Sequence, residues 1–279
     1  MKLYTINTGN FKLDGGAMFG VVPKTIWNKL NPADELNLCS WAMRCLLIED
    51  GKRLILVDNG IGNKQDAKFF GHYHLHGDDT LDKSLAQHGF HRDDITDIFL
   101  THLHFDHCGG SIVRDGDKLI PAFKNATFWS NLQHWEWATQ PNEREKASFL
   151  KDNILPIYES GQLKFIEPVD GTAFGDDINV RYVYGHTDAM MLPQISYKGK
   201  TLVFMADLLP SIGHIPLPYV MAYDMFPMTT LNEKQKFLKE AVDKEYILFF
   251  EHDPLNECCT LGMTEKGIRQ KDIFKLSDI

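Results

Sequence analysis

Cysteine is scarce in this chain: Cys39, Cys45, Cys108, Cys258 and Cys259 form an odd set of five in 279 residues. Such a set builds no disulfide framework and points to a reducing compartment. The adjacent pair Cys258-Cys259 invites a metal or redox reading, but its apolar neighbours read better as a buried strand. Positive charge is also short, with 29 Lys and Arg against 38 Asp and Glu and a formal net charge of −9. Phosphate binding needs a cationic surface, so the charge argues against nucleic acid as the main partner and equally against docking on an anionic membrane. No apolar run reaches membrane-spanning length, and Met1-Lys2-Leu3-Tyr4-Thr5-Ile6-Asn7 lacks the apolar stretch of a signal peptide. The expectation is a cytoplasmic protein. Low-complexity linkers and internal repeats are missing as well, so a single domain over residues 1–279 is expected.

What is present alternates between short strand signals and helical patterns, an α/β organisation. Residues 3–7 read as a first strand. Residues 11–38 carry Gly15, Gly16, Gly20, Pro23 and Pro32 and read as a long irregular loop with one turn of helix. Residues 39–49 and 53–57 form a hairpin around Asp50-Gly51, and residues 80–88 a helix begun by Asp79 or Thr80 and ended by Gly89. A buried strand at 95–100 and another at 126–129 follow. Helices are expected at 131–138 and 143–154, broken by Pro141 and Pro156, with His134, Trp135 and Trp137 packed on the first. The second half alternates in the same way. It offers a strand at 178–184, a hairpin of 194–197 with 201–206 around Lys198-Gly199, a helix capped by Asn232, and a strand at 246–250.

The chemistry concentrates in Thr101-His102-Leu103-His104-Phe105-Asp106-His107-Cys108-Gly109-Gly110, which puts four potential metal ligands within six residues. Imidazole and carboxylate suit zinc, and imidazole also suits iron and cobalt. His102 and His104 can project the same way from extended backbone, while Asp106 and His107 fall where the loop turns into the glycine corner. One short segment can therefore serve two adjacent ions. Further along, apolar strands end at Asp58, His102, His186, Asp207 and His252. A lone histidine after a strand is ordinarily a hydrogen-bonded loop residue, and only the recurrence argues that these residues meet. A second cluster, His72-Tyr73-His74-Leu75-His76, alternates as if extended but has no carboxylate or cysteine at an informative spacing, so it reads as solvated.

The ordered set His-x-His-x-Asp-His at 102–107, strand-end Asp58, Gly185-His186, Asp207 and His252 resembles the metallo-β-lactamase superfamily over essentially the whole chain. That resemblance implies a four-layer αβ/βα sandwich, two mixed β-sheets flanked by helices, around a dinuclear site. It implies that His102, His104 and His186 hold one ion, that Asp106, His107 and His252 hold the other, and that Asp207 bridges them. Asp58 would orient a ligand imidazole, the alternative being a turn-forming Asp before Asn59-Gly60. The expected cofactors are two divalent metal ions, Zn2+ first, with Mn, Fe or Co as alternatives. Two such ions can lower the pKa of a shared water and polarise a scissile carbonyl, with Asp106 as the catalytic residue that relays a proton.

Residues 13–20 and 206–210, with 216–227, look similar to the branch containing quorum-quenching N-acyl-homoserine lactonases, with methyl-parathion-type phosphotriesterases nearby. By that likeness Met18, Phe19, Leu208, Leu209, His214 and Tyr223 line a substrate pocket, plain core packing being the alternative for each. One departure stands out: the tyrosine that this branch carries three residues after the bridging Asp is Pro210 here. His214 or Tyr223 would have to take over its contact. The expected activity is hydrolysis of a lactone or carboxylic ester, N-acyl-homoserine lactones foremost. The alternatives are a phosphotriesterase or arylesterase of the same fold and a non-catalytic metal-binding protein. A small-molecule substrate and a homodimer complete the expectation.

Overall fold

The first strand, β1 (Lys2–Asp14), runs straight through residues where glycine suggests a break, because Gly9 takes φ 114° and lets the strand continue. The expected loop follows it, with two short helices where one turn was expected. Asp14 accepts from the Ala17 amide to start α1 (Gly15–Phe19), and α2 (Lys24–Trp27) follows Pro23. The hairpin of β2 (Leu38–Asp50) and β3 (Arg53–Val57) turns at Gly51, which sits at φ 60°. Next come α3 (Ala67–Tyr73) and α4 (Leu81–Gln87), the latter capped by Thr80. Then β4 (Asp97–Phe99), α5 (Phe105–Cys108), β5 (Ile112–Asp115), β6 (Lys118–Pro121) and β7 (Thr127–Ser130) lead to α6 (Leu132–Thr139), capped by Asn131. α7 (Lys151–Glu159) starts later than the pattern predicts and keeps Pro156 inside it.

The remaining elements are β8 (Leu163–Phe165), β9 (Thr172–Ala173), β10 (Ile178–Val183), β11 (Met190–Tyr197), β12 (Lys200–Phe204), α8 (Pro227–Asp243), β13 (Ile247–Phe249), β14 (Cys258–Thr264) and β15 (Gly267–Phe274). Asn232 caps nothing: α8 begins at Pro227, whose fixed φ and missing N–H suit the first helical position. The computed structural model describes residues 1–279. Contacts divide the chain into two compact units, Met1–Gly9 with Met43–Thr172, and Asn10–Ala42 with Ala173–Ile279.

The first unit carries the sheet β1-β2-β3-β4-β7-β8, with β3, β4, β7 and β8 parallel. Its core gathers Leu47, Leu56, Ile98, Phe128, Leu85 and Ile157. The second unit carries β15-β14-β13-β12-β11-β10-β9, in which β12 and β13 are the parallel pair. Phe204 and Phe249 stack there at 5.6 Å, and Phe237 of α8 is buried. Burial of each such side chain contributes about 1.5–3 kcal/mol. Cys258 and Cys259 are buried on β14 and unbridged, as a strand reading requires. No helix is long and apolar enough to cross a membrane.

Candidate metal centre

In the first unit the site starts where two parallel strands end in register, Val57 beside Phe99. Asp58 extends the ladder by donating its N–H to the Phe99 carbonyl (2.9 Å), then takes φ 56°, a left-handed conformation that Asp tolerates better than most residues. Its carboxylate is wholly buried and accepts from the Thr101 N–H (2.8 Å), the Thr101 hydroxyl (2.6 Å) and His107 Nδ1 (3.0 Å).

The Thr101 hydroxyl, having given its proton to Asp58, accepts from His102 Nδ1 at 3.0 Å. That fixes the tautomer of His102 and presents Nε2 as its lone pair. His104 is held the other way round: its Nε2 donates to Glu145 Oε1 (2.9 Å), and Glu145 Oε2 accepts from Trp137 Nε1 (2.6 Å). His104 therefore presents Nδ1, which lies 3.1 Å from His102 Nε2. Two buried imidazole lone pairs pointed at one another repel, and a cation between them removes the conflict. On the same loop Asp106 Oδ2 is 3.8 Å from His107 Nε2.

The loop backbone is pinned as tightly as its side chains. His134 Nε2 accepts from the Leu103 N–H at 2.9 Å, so the α6 histidine serves the loop without being a ligand. Glycine is obligatory at the corner, since a Cβ at Gly109 would stand 2.2 Å from the Ile61 carbonyl. The buried Lys64 ammonium caps the Gly109 carbonyl at 2.6 Å, and burial lowers its pKa to about 8.

The second unit repeats the arrangement with scattered residues. Parallel β12 and β13 end in register, Phe204 beside Phe249, and the Met205 N–H donates to the Phe249 carbonyl (2.9 Å). Ala206 then takes φ 39°, strain on the order of 1 kcal/mol that turns the chain before Asp207. Asp207 offers one oxygen to each of two imidazoles: Oδ2 is 3.1 Å from His186 Nε2 and Oδ1 is 3.1 Å from His252 Nε2. The far nitrogens are committed, His186 Nδ1 to Asp224 (2.9 Å) and His252 Nδ1 to the Ala42 carbonyl (2.7 Å). Burial opposes protonation of His186, yet the facing carboxylates Asp207 and Asp224 raise its pKa to about 10. A group so placed draws a cation, and the donor set of nitrogen and carboxylate oxygen fits a divalent metal.

Of the six expected pocket residues, Met18, Phe19, Leu208, Leu209 and His214 are at most 2% exposed, while Tyr223 is 38% exposed. Phe19 stacks on His214 (4.6 Å) and on Trp27 (5.5 Å), which is core packing. His214 is pinned by both nitrogens, to the Ser211 hydroxyl (2.9 Å) and the Met18 carbonyl (2.9 Å), so it has none to give a substrate. Burial pushes its pKa down to about 3. The second histidine cluster is not extended: α3 ends at Tyr73, His74 turns left-handed at φ 45°, and all three histidines are exposed.

Sequence reasoning missed Glu145, Asp224, Thr101 and the Ala42 carbonyl. It also missed an aromatic wall beside Asp106, where Tyr73 and Phe69 pack on Phe105 at 4.6 and 5.4 Å. Burial and the charge of Asp106 push the Tyr73 phenol up to about 12.

The chain belongs to the metallo-beta-lactamase superfamily, which it matches over residues 44–252. Family and donor clusters together define a metal-dependent hydrolase. It is similar to the N-acyl homoserine lactonase of Bacillus thuringiensis, 27% identical over 266 residues that span 90% of this chain and 93% of that one. A crystal structure described as a probable metal-dependent hydrolase from Staphylococcus aureus superposes with a TM-score of 0.88 at 28% identity, covering 98% of this chain and 96% of that one. AidC, a dizinc quorum-quenching lactonase, shares the fold with a TM-score of 0.80 at 24% identity, covering 98% and 95%.

Proposed function

We propose that this protein is a dinuclear metallohydrolase that opens lactone rings, with N-acyl-homoserine lactones as its substrate class. The observation that carries the metal reading is the tautomer set: His102, His107, His186 and His252 commit Nδ1 to an acceptor, and His104 commits Nε2. Five imidazoles each present one defined nitrogen, which is how metal-ligating histidines are held. In this reading His102, His104 and His186 hold one divalent ion and Asp106, His107 and His252 the other. Asp207 offers an oxygen to each. Zinc ions bound there would supply a nucleophile from water at neutral pH and polarise the scissile carbonyl.

The chain's own residues do the rest. Asp58, Glu145 and Asp224 keep their imidazoles from rotating or exchanging protons. The Asp106 carboxylate, 11% exposed, is the group that can carry a proton to the leaving alkoxide. Phe69, Tyr73 and Phe105 offer an apolar wall for an acyl chain, and Tyr73 stays neutral there. The lactone preference is supported by the lactonases to which the chain is similar along most of its length.

The experiment strips metal with chelator, verifies its absence, and measures long- and short-chain acyl lactones, paraoxon and a nitrophenyl acetate before and after zinc is restored. Expected are no hydrolysis without metal, recovery with zinc, and lactones turned over fastest. Undiminished lactone hydrolysis by verified metal-free protein would refute the metal mechanism. Faster turnover of paraoxon would make the protein a phosphotriesterase, and no turnover with zinc fully loaded would make it a binding protein.

A further inference from the structure

Lys64 is a buried ammonium, 7% exposed, that the proposed chemistry leaves unused. Its Nζ donates to the Gly109 carbonyl at 2.6 Å. Burial opposes its charge, and Asp152 supports it from a distance without bonding to it. Gly109 closes α5, the single helical turn that carries Asp106 and His107. Carbonyls at the end of a helix lack partners within it, and a cation there also meets the negative end of the dipole. One buried charge for one carbonyl is nevertheless costly, since an apolar residue would fill the space without desolvating an ammonium.

The lysine ends a strap, residues 59–64, that lies flush against residues 107–111. The Asn59 N–H donates to the His107 carbonyl (2.9 Å), the Gly110 N–H to the Gly60 carbonyl (2.9 Å), and Asn59 Nδ2 to the Ser111 hydroxyl (2.8 Å). No room is left between the two segments. A Cβ at Gly62 would stand 2.5 Å from the Gly109 carbonyl oxygen, and one at Gly110 2.2 Å from that of Asn59. These ties begin at His107. The earlier residues of the loop answer to other partners: His102 to Thr101, His104 to Glu145, and the Leu103 N–H to His134. Asp58, just before the strap, bonds to both Thr101 and His107 and so serves both groups.

We infer that Lys64 is a positioning residue for metal: through the Gly109 carbonyl it holds the turn that aims Asp106 and His107 at their ion, and it leaves His102 and His104 to their own supports. Lys64 bonds to no donor atom and acts only through that backbone. The inference rests on the dinuclear reading and deepens it, by assigning one buried charge to one ion of the pair.

The test titrates metal-free wild type and Lys64→Met with zinc against a chromophoric chelator, and with cobalt followed by its visible absorption. Lys64→Met is expected to lower one of the two affinities about tenfold and keep the other within about threefold, with one cobalt band weakened at a given loading. Glu145→Gln, which loosens His104, should lower the other affinity, so the double variant loses about tenfold at both steps. Hydrogen exchange in metal-free Lys64→Met should quicken about tenfold at residues 107–110 and stay unchanged at Thr101 and Leu103. Should Lys64→Met fail to fold, Lys64→Gln, which keeps a shorter donor in the space, carries the same comparison. Two unchanged affinities in the Lys64 variant, an equal loss at both, or exchange quickened alike along residues 101–110 would overturn the inference alone. A wild type that binds fewer than two zinc ions would sink the dinuclear reading and the inference with it.

Discussion

Each of the two units builds its own cluster of donors by the same device, from opposite kinds of sequence. In each, a pair of neighbouring parallel strands ends in register, Val57 with Phe99 and Phe204 with Phe249. In each, a residue at positive φ, Asp58 or Ala206, turns the chain at that end. The first unit then devotes one short loop, 102–107, to its donors. The second collects His186, Asp207 and His252 from three separate loops. Contiguity makes the donors of the first cluster local, although Asp58, Lys64 and Glu145 brace them from 41 to 49 residues away in sequence. Dispersion makes the second half depend on tertiary structure, on Asp224, the Ala42 carbonyl and α8.

Asp207 is where that dependence is greatest, since its two oxygens face two imidazoles from different loops. Asp207→Ala should abolish full zinc loading and cut activity well beyond the roughly 100-fold of an outer-layer change, measured by metal analysis and kcat/KM. Retention of two zinc ions per chain would show that the second half is no more fragile than the first.

A smaller contrast separates the carboxylates behind the ligands. Asp58 accepts three hydrogen bonds, whereas Asp224 accepts from His186. Asp58→Asn and Asp224→Asn should each weaken zinc by about 10–100-fold, with Asp58→Asn at the upper end. Competition with a chromophoric chelator ranks them, and the reverse order would mean that hydrogen-bond count does not set ligand rigidity here.

The last contrast concerns stability alone and leaves activity at neutral pH untouched. Burial first of all holds the folded pKa of His214 at about 3, below the ordinary 6.5. Between those values the unfolded chain binds a proton that the folded chain does not, so stability falls as pH drops through the window. The expected slope is about 1.4 kcal/mol per pH unit. His214→Gln, which can still donate to the Met18 carbonyl, should flatten the acid side of a urea-unfolding series on metal-free protein. An unchanged slope would remove His214 from the account of the second unit's packing.

The same contrast explains what could be read before the structure. The 102–107 loop was legible because its donors are contiguous and its strand is a plain apolar run. Strand ends also pointed to Asp58, His186, Asp207 and His252, since an abrupt polar residue after an apolar stretch is a local signal. Glu145 and Asp224 gave none. Each is one acidic residue among many, distinguished only by burial against an imidazole. The Ala42 carbonyl is backbone and has no residue-type signature at all. In the fold, Asp50-Gly51 and Lys198-Gly199 announced their hairpins because positive φ favours glycine. Residues 11–14 hid a strand behind Gly9, and Asn232 imitated a cap that Pro227 makes unnecessary. The pocket expectation rests on a weaker signal, since apolar side chains near a ligand suit a cleft and a core equally, and Phe19 and His214 stack on one another.

The most direct measurement is a crystal structure of zinc-loaded protein with anomalous scattering collected at the zinc edge. Two peaks are predicted, one about 2.0–2.1 Å from His102 Nε2, His104 Nδ1 and His186 Nε2, the other equally close to His107 Nε2 and His252 Nε2. A single peak, or zinc that leaves His186 or His252 uncoordinated, would contradict the claim that both clusters serve one pair of ions.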